Sequence, residues 1–264
     1  MSHRVESGVT GGRSSGQNRA GTVVNISLII PAFNEAKLLG NSLLKIRAAT
    51  AAFTERGWAS ELIVCDNNST DRTAELARAE GATVVFEPVN QISRARNRGA
   101  AVAQGDWLIF IDADSHPSRE LLSEVAGRIE SGHCLAGGVT VRLDRPTLMS
   151  RVWLGAWNAI SRVTQWPAGS FIFCEAAAFR ALSGFSERLF VAEEIDFGRR
   201  LKRLARERGL DVVILRQHPV LTSARKLELY SLGEMARFVF RSVWAGGATF
   251  KDRAACAPWY NGRR

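Results

Sequence analysis

Short apolar runs alternate with amphipathic stretches through the first half of the chain. Val23 to Ile30 is a largely apolar run rich in β-branched residues and closed by Pro31, the pattern of a buried parallel strand. From Glu35 to Phe53 the apolar residues Leu38, Leu39, Leu43, Leu44 and Ile46 recur at helical spacing. The alternation then repeats. Glu61–Asp66 reads as a strand and Thr70–Glu80 as a helix stopped by Gly81; Thr83–Glu87 is a strand, Ile92–Gln104 a helix stopped by Gly105, and Trp107–Asp112 a fourth strand. Strands that alternate with helices in this way predict a parallel α/β sheet.

The second half is less regular. It predicts helices over Leu121–Glu130, Thr147–Trp166, Glu175–Leu182 and Asp196–Arg208, and strands over Gly137–Leu143, Phe171–Phe173 and Val212–Leu221. The 147–166 helix carries Met149, Val152, Trp153, Trp157, Ile160 and Val163 at amphipathic spacing. A last amphipathic helix is predicted over Leu229–Val243. Residues 1–22 are Gly/Ser/Arg-rich and aperiodic, and read as a disordered leader without the apolar run of a signal peptide. The expected organisation is this leader, one domain over 23–224 with halves of about 23–115 and 116–224, and a basic amphipathic segment over 225–264.

Ligands of open parallel sheets bind beyond the carboxyl ends of the strands. Here those ends carry Pro31-Ala32-Phe33-Asn34-Glu35, Asp66-Asn67-Asn68-Ser69-Thr70-Asp71 and Asp112-Ala113-Asp114. Polar and acidic groups are therefore expected along one sheet edge. Two carboxylates at i and i+2 suit a hard divalent cation, which takes oxygen ligands and shares its shell with substrate phosphates. The same residues also fit a solvated acidic turn, and Ser69, Thr70 or Asp71 fits a helix cap.

The chain has 264 residues and a formal net charge of +9. That excess raises nucleic acid, an anionic membrane surface or a polyanionic substrate as partners. Its distribution changes the picture. Residues 1–24 hold Arg4, Arg13 and Arg19 against Glu6, and residues 225–264 hold eight basic side chains against Glu228, Glu234 and Asp252, which leaves the core nearly balanced. A nearly neutral core with acidic strand ends argues against nucleic acid. The basic C-terminal segment, with Trp259 and Tyr260, fits either a helix packed on the core or one lying on an anionic bilayer. Cys65, Cys134, Cys174 and Cys256 lack metal-site spacing and read as reduced thiols of a cytoplasmic protein.

Five segments in order, LIIPAFNEA (28–36), DNNSTDRT (66–73), ARNRGAA (95–101), FIDAD (110–114) and SGFSERLFVAEEIDFGRRL (183–201), resemble family 2 glycosyltransferases of the GT-A fold. The resemblance implies an enzyme that moves a sugar from a nucleoside-diphosphate sugar, UDP more commonly than GDP, to an acceptor hydroxyl. It also implies dependence on Mg2+ or Mn2+ and inversion at the anomeric carbon. By resemblance, Pro31, Ala32, Phe33 and Glu35 contact base and ribose, and Asp66 reads the base. Arg96 lies near the nucleotide with Arg94 as a competitor, Asp112 lies near ribose and donor sugar, Asp114 binds the metal, and Glu194 is the catalytic base. The pattern's acidic pair ends in Asp, whereas this chain has Glu193-Glu194, so the reach of the base differs by one methylene. The implied location is cytoplasmic, with a peripheral position at the inner face of the membrane as a further expectation. The resemblance implies a metal-binding His after the last core strand; here His218 lies inside that strand, where a structural role is simpler, and Thr222-Ser223 occupy the expected place. Two other readings stay open: a sugar-phosphate nucleotidylyltransferase, although PAFNEA replaces the Gly-rich loop it needs, and a catalytically inactive nucleotide-binding module.

Overall fold

The structure, a computed structural model, describes residues 23–225. In chain order the elements are β1 (Asn25–Ala32), α1 (Leu39–Ala49), α2 (Ala51–Thr54), β2 (Ala59–Asp66), α3 (Thr73–Ala79), β3 (Thr83–Phe86), α4 (Ile92–Val102), β4 (Trp107–Ile111), β5 (Ser115–His116), α5 (Arg119–Glu130), β6 (Cys134–Leu143), α6 (Leu148–Thr164), β7 (Phe171–Glu175), α7 (Ala176–Ala181), α8 (Glu193–Arg208) and β8 (Asp211–Thr222). The leader and the predicted 229–243 helix lie outside the described residues.

The strands form one sheet in the order β3-β2-β1-β4-β7-β6-β8-β5. Strands β1 to β4 are mutually parallel, as are β6 and β8; β7 runs antiparallel between β4 and β6, and β5 runs antiparallel to β8. The chain winds outward from β1 to β3 and then returns to the other side of β1 with β4. The carboxyl ends of β1 and β4 therefore flank a switch point, where a crevice opens in such sheets.

Burial on both faces explains the apolar runs. Ile26, Leu28 and Ile30 join one core layer with Leu39, Leu43, Ile46 and Phe53. Ile29, Leu108 and Phe110 join the other with Phe179, Phe185 and Phe197. Within that second layer Phe110 meets Phe185 edge-on at 5.1 Å, and Phe185 meets Phe197 at 4.5 Å. These rings anchor the 183–192 loop and α8 beneath the strand ends.

Close packing also fixes Gly137 in β6. A Cβ there would lie 2.5 Å from Phe173 Cζ and 2.6 Å from the Val213 carbonyl oxygen. Gly137→Ala is expected to cost about 1–3 kcal/mol through overpacking, read as a lower urea midpoint with an unchanged slope.

Several boundaries differ from the sequence expectation, for local reasons. The first helix starts at Leu39 rather than Glu35, because Asn34 takes a left-handed φ of 52° and the Glu35 carbonyl first closes a turn with Leu38 N–H. The second starts at Thr73 rather than Thr70, because residues 69–71 are held by the loop after β1. Helix α6 ends at Thr164, where Gln165 turns left-handed with φ 55°. The helix expected from Asp196 begins at Glu193, so both glutamates belong to its first turn.

Candidate active site

The first wall is built where the loops after β1 and β2 interlock. Pro31 and Ala32 pair in register with Cys65 and Asp66. Asn34 N–H donates to Ser69 Oγ at 2.9 Å, and Thr70 N–H donates back to Asn34 Oδ1 at 2.8 Å. Glu35 N–H donates to Thr73 Oγ1 at 2.8 Å, and Ala36 N–H to Asp71 Oδ2 at 3.1 Å. Burial opposes ionisation of Asp71, but the hydrogen bonds it accepts from Thr73 and Ala36 prevail and hold its pKa below the usual carboxylate value. Asp66 is buried, and its Oδ1 accepts from Ser69 N–H at 3.1 Å, which shapes the turn.

Asn67, which the sequence reading passed over, ties the strand ends together. Its backbone N–H donates to Ala32 O at 2.8 Å, its Nδ2 to Val89 O at 2.6 Å, and its Oδ1 accepts from Gln91 N–H at 2.9 Å. Its signal was available: an Asn at a strand end carries both donor and acceptor and can satisfy two neighbouring loops at once.

The acidic pair follows β4. Asp112 N–H donates to Ser170 O at 3.2 Å, and Ser115 N–H turns back onto Asp112 O at 2.9 Å. Asp114 is buried, and its carbonyl accepts from Ser223 N–H at 3.2 Å. The chain after β8 is thus drawn over the end of β4. There Arg225 reaches Glu35, with Nη2 at 2.6 Å from Oε2. Phe33 is half-buried beside them. The resemblance sets Glu35 against base and ribose, and the structure engages its carboxylate with Arg225.

Arg96 is the centre of the opposite wall. It is 1% exposed, with Nη1 at 2.7 Å from Glu193 Oε1 and Nη2 at 3.2 Å from Asp112 Oδ1. Nη2 also donates to Gly169 O at 2.8 Å, and the guanidinium lies 5.2 Å from the centre of the Phe185 ring. Arg96 thus sits as a clamp on two acidic residues. Its competitor Arg94 bonds Glu87 at 3.1 Å and Glu187 at 2.7 Å.

The two glutamates divide accordingly. Glu193 is buried on Arg96, whereas Glu194 is half-buried and shares a hydrogen bond with Glu193 next to Gly169. Burial raises both above the ordinary carboxylate value against the pull of Arg96, and the charge of Glu194 pushes Glu193 up further, while the hydrogen bond from Glu193 holds Glu194 back. The two titrate as a unit. Arg96 stays charged despite its burial, because Asp112, Glu193 and Glu194 surround it. Their position in the first turn of α8 adds the favourable helix dipole.

Among the described residues, no cluster of three or more His, Cys, Asp or Glu side chains is assembled as a metal cage. His218 bonds Glu124 Oε2 on α5 at 3.2 Å. The histidine nearer Asp114 is His116, whose Nε2 lies 3.0 Å from Ser42 Oγ. Its pKa is lowered by burial and by Lys45, with Asp114 opposing. Cys65, Cys134 and Cys174 are buried free thiols, and burial pushes Cys65 up to about 12. Trp157 packs on the core beneath α6, while the Trp166 ring carries Arg199 at 4.8 Å.

The sheet order, the switch-point crevice and the acidic strand ends define the GT-A class of α/β fold. Two solved structures share it. One is a mannosyltransferase from Pyrobaculum calidifontis in complex with GDP-Man and Mn2+ (TM-score 0.63, 17% identity, 84% of this chain and 61% of that one). The other is glucosyl-3-phosphoglycerate synthase from Mycobacterium tuberculosis in complex with Mn2+, UDP and glucosyl-3-phosphoglycerate (TM-score 0.59, 24% identity, 84% and 79%). The sequence profile described as glycosyl transferase family 2 matches residues 27–183, more than half of the chain. The chain belongs to glycosyl transferase family 2. Among curated relatives, the undecaprenyl-phosphate 4-deoxy-4-formamido-L-arabinose transferase of Pseudomonas aeruginosa is 31% identical over 140 residues, 48% of this chain and 38% of that protein. A TPR repeat-containing protein of Synechococcus elongatus is 30% identical over 115 residues, 43% of this chain and 26% of that protein. The chain thus spans well under two thirds of these curated relatives.

Proposed function

We propose that the chain transfers a glycosyl group from a nucleoside-diphosphate sugar to an acceptor hydroxyl, with inversion, in the synthesis of a glycan, a lipid-linked saccharide or a cell-envelope component. One observation carries this reading. Asp66 closes β2, Asp112 and Asp114 follow β4, and Arg96 ties Asp112 to the first glutamate of α8 while the second is left partly open. Solved neighbours that hold UDP or GDP-Man with Mn2+ support the donor class.

In this proposal Asp66 and the 31–35 loop hold the nucleoside, UDP before GDP, and Asp112 stands beside ribose and sugar. The donor set fits a hard divalent ion: carboxylate oxygens at one strand end, without a closed cage among the described residues, so that diphosphate and water would complete its shell. Asp114 would hold Mg2+ or Mn2+, which when bound supplies Lewis-acid stabilisation of the departing diphosphate. Glu194 accepts the proton of the attacking hydroxyl as general base. Its raised pKa makes it the stronger base, and it requires the ionised form.

The direct test is release of UDP or GDP from a panel of nucleotide sugars in the presence of Mn2+. Turnover is expected to rise with pH along an acid limb whose midpoint lies above 4.5, the ordinary value for Glu. A limb at or below that value would remove Glu194 as the base.

A further inference from the structure

Helix α6 carries an apolar face that no other described element covers. On its helical wheel Leu148, Met149, Val152, Ile160 and Val163 share one side, opposite Leu154 and Trp157, which pack on the core, and Ser161, which is buried. Leu148 is 81% exposed, Val152 64% and Val163 84%. Exposed apolar side chains scattered singly are ordinary, but a contiguous row along one helix marks a contact surface.

The charge beside this row identifies the partner. Arg151 and Arg162 border it along the helix, Arg145 precedes it, and all three are exposed. Residues 145–174 contain no Asp or Glu, so no carboxylate of this segment offsets them. No described helix is long and apolar enough to cross a membrane. An apolar stripe edged by arginines, on a helix too short to span, suits the plane of an anionic bilayer.

We infer that α6 is a docking helix that lies in the interface of an anionic membrane, with its apolar row among the lipids and its arginines at the headgroups. The inference stands independently of the transfer reading. It has a consequence for the site, because five residues beyond the end of α6 the chain reaches Gly169, which abuts Arg96 and Glu194. Docking through α6 would hold the segment that abuts Arg96 and Glu194 close to the bilayer. The basic 225–264 segment is a separate candidate for membrane contact, and the test separates the two.

The full chain is mixed with vesicles of phosphatidylcholine alone or of phosphatidylcholine with phosphatidylglycerol, and sedimented. Binding is expected to the anionic vesicles and to weaken with salt. The double substitution Val152→Asp/Val163→Asp places charges on exposed positions, so the melting temperature should not fall. It should lower the partition coefficient about tenfold or more. Arg151→Glu/Arg162→Glu should weaken binding to anionic vesicles and leave the residual binding to neutral ones unchanged. Undiminished binding of the Val152/Val163 variant would overturn the inference and move the contact to another segment. A marked fall in its melting temperature would also overturn it, since the face would then be covered within the chain. So would a wild type that ignores vesicles but self-associates, with that self-association lost in the Val152/Val163 variant, since a second copy would then cover the face. Nucleotide-sugar turnover without vesicles reports on the site alone, so failure of one reading is distinguishable from failure of the other.

Discussion

Glu194→Gln is expected to leave donor binding intact while sugar transfer falls about 10²–10⁴-fold, the usual contribution of a positioned general base. The amide keeps the shape and the neighbouring contacts but cannot accept the proton. Stability should move the other way. A carboxyl whose folded pKa is raised contributes most below its ordinary pKa of 4.5, and that contribution is lost as pH rises through the folded value. Once ionised, Glu194 repels Glu193 in a buried setting, so the amide should melt no lower than the wild type, and its advantage should grow as pH rises through the folded pKa of Glu194. Activity assays with binding calorimetry and thermal melts separate the two effects. Unchanged turnover would place the base elsewhere.

Arg96→Met should be the most destabilising single change in the site, at about 3–5 kcal/mol, because it strands buried carboxylates without a counter-charge. Glu193 loses its 2.7 Å partner, and Asp112 loses its bond at 3.2 Å. Arg96→Lys should recover only part of this. A single ammonium cannot place one nitrogen on Glu193 and another on both Asp112 and Gly169, as the guanidinium does. Chemical denaturation of the three proteins gives the ranking, wild type above Lys above Met. Adding Glu193→Gln to Arg96→Met should restore part of the loss, because one stranded charge is removed. Equal stability of wild type and Arg96→Met would mean that the clamp does not hold the wall together.

The parallel half of the fold was legible because both sheet faces are buried. Runs such as Leu28–Ile30 and Leu108–Ile111 have no polar alternation, and each is followed by helical spacing and a glycine stop. The acidic strand ends were legible for the same reason: a carboxylate directly after a buried strand has nowhere to go but the edge. Strand direction in the second half was not legible. Phe171–Glu175 runs antiparallel, and nothing in five mostly apolar residues encodes direction. Nor was the clamp. The resemblance sets Arg96 near the nucleotide and says nothing of its burial against Glu193 and Asp112, yet its neighbours on the buried face of α4 are Ser93, Ala95 and Gly99. A row of small residues leaves room for one long side chain to run inward, and Gly99 packs so closely that a Cβ would lie 2.5 Å from Ile29. That row was the available signal. The start of α8 was hidden by Ala192, which takes a left-handed φ of 65° usually left to glycine or asparagine.

These features place the chemistry in particular side chains rather than in the fold, which hosts many specificities. The central claim is a nucleotide-sugar site completed by Asp114 at the end of β4. Calorimetric titration of UDP and GDP in Mn2+, with the wild type and with Asp114→Asn, tests it most directly. The account predicts that one of the two nucleotides binds the wild type, that EDTA abolishes or sharply weakens this binding, and that Asp114→Asn reproduces the EDTA result while melting normally. Binding of equal strength by Asp114→Asn, or in EDTA, would contradict it.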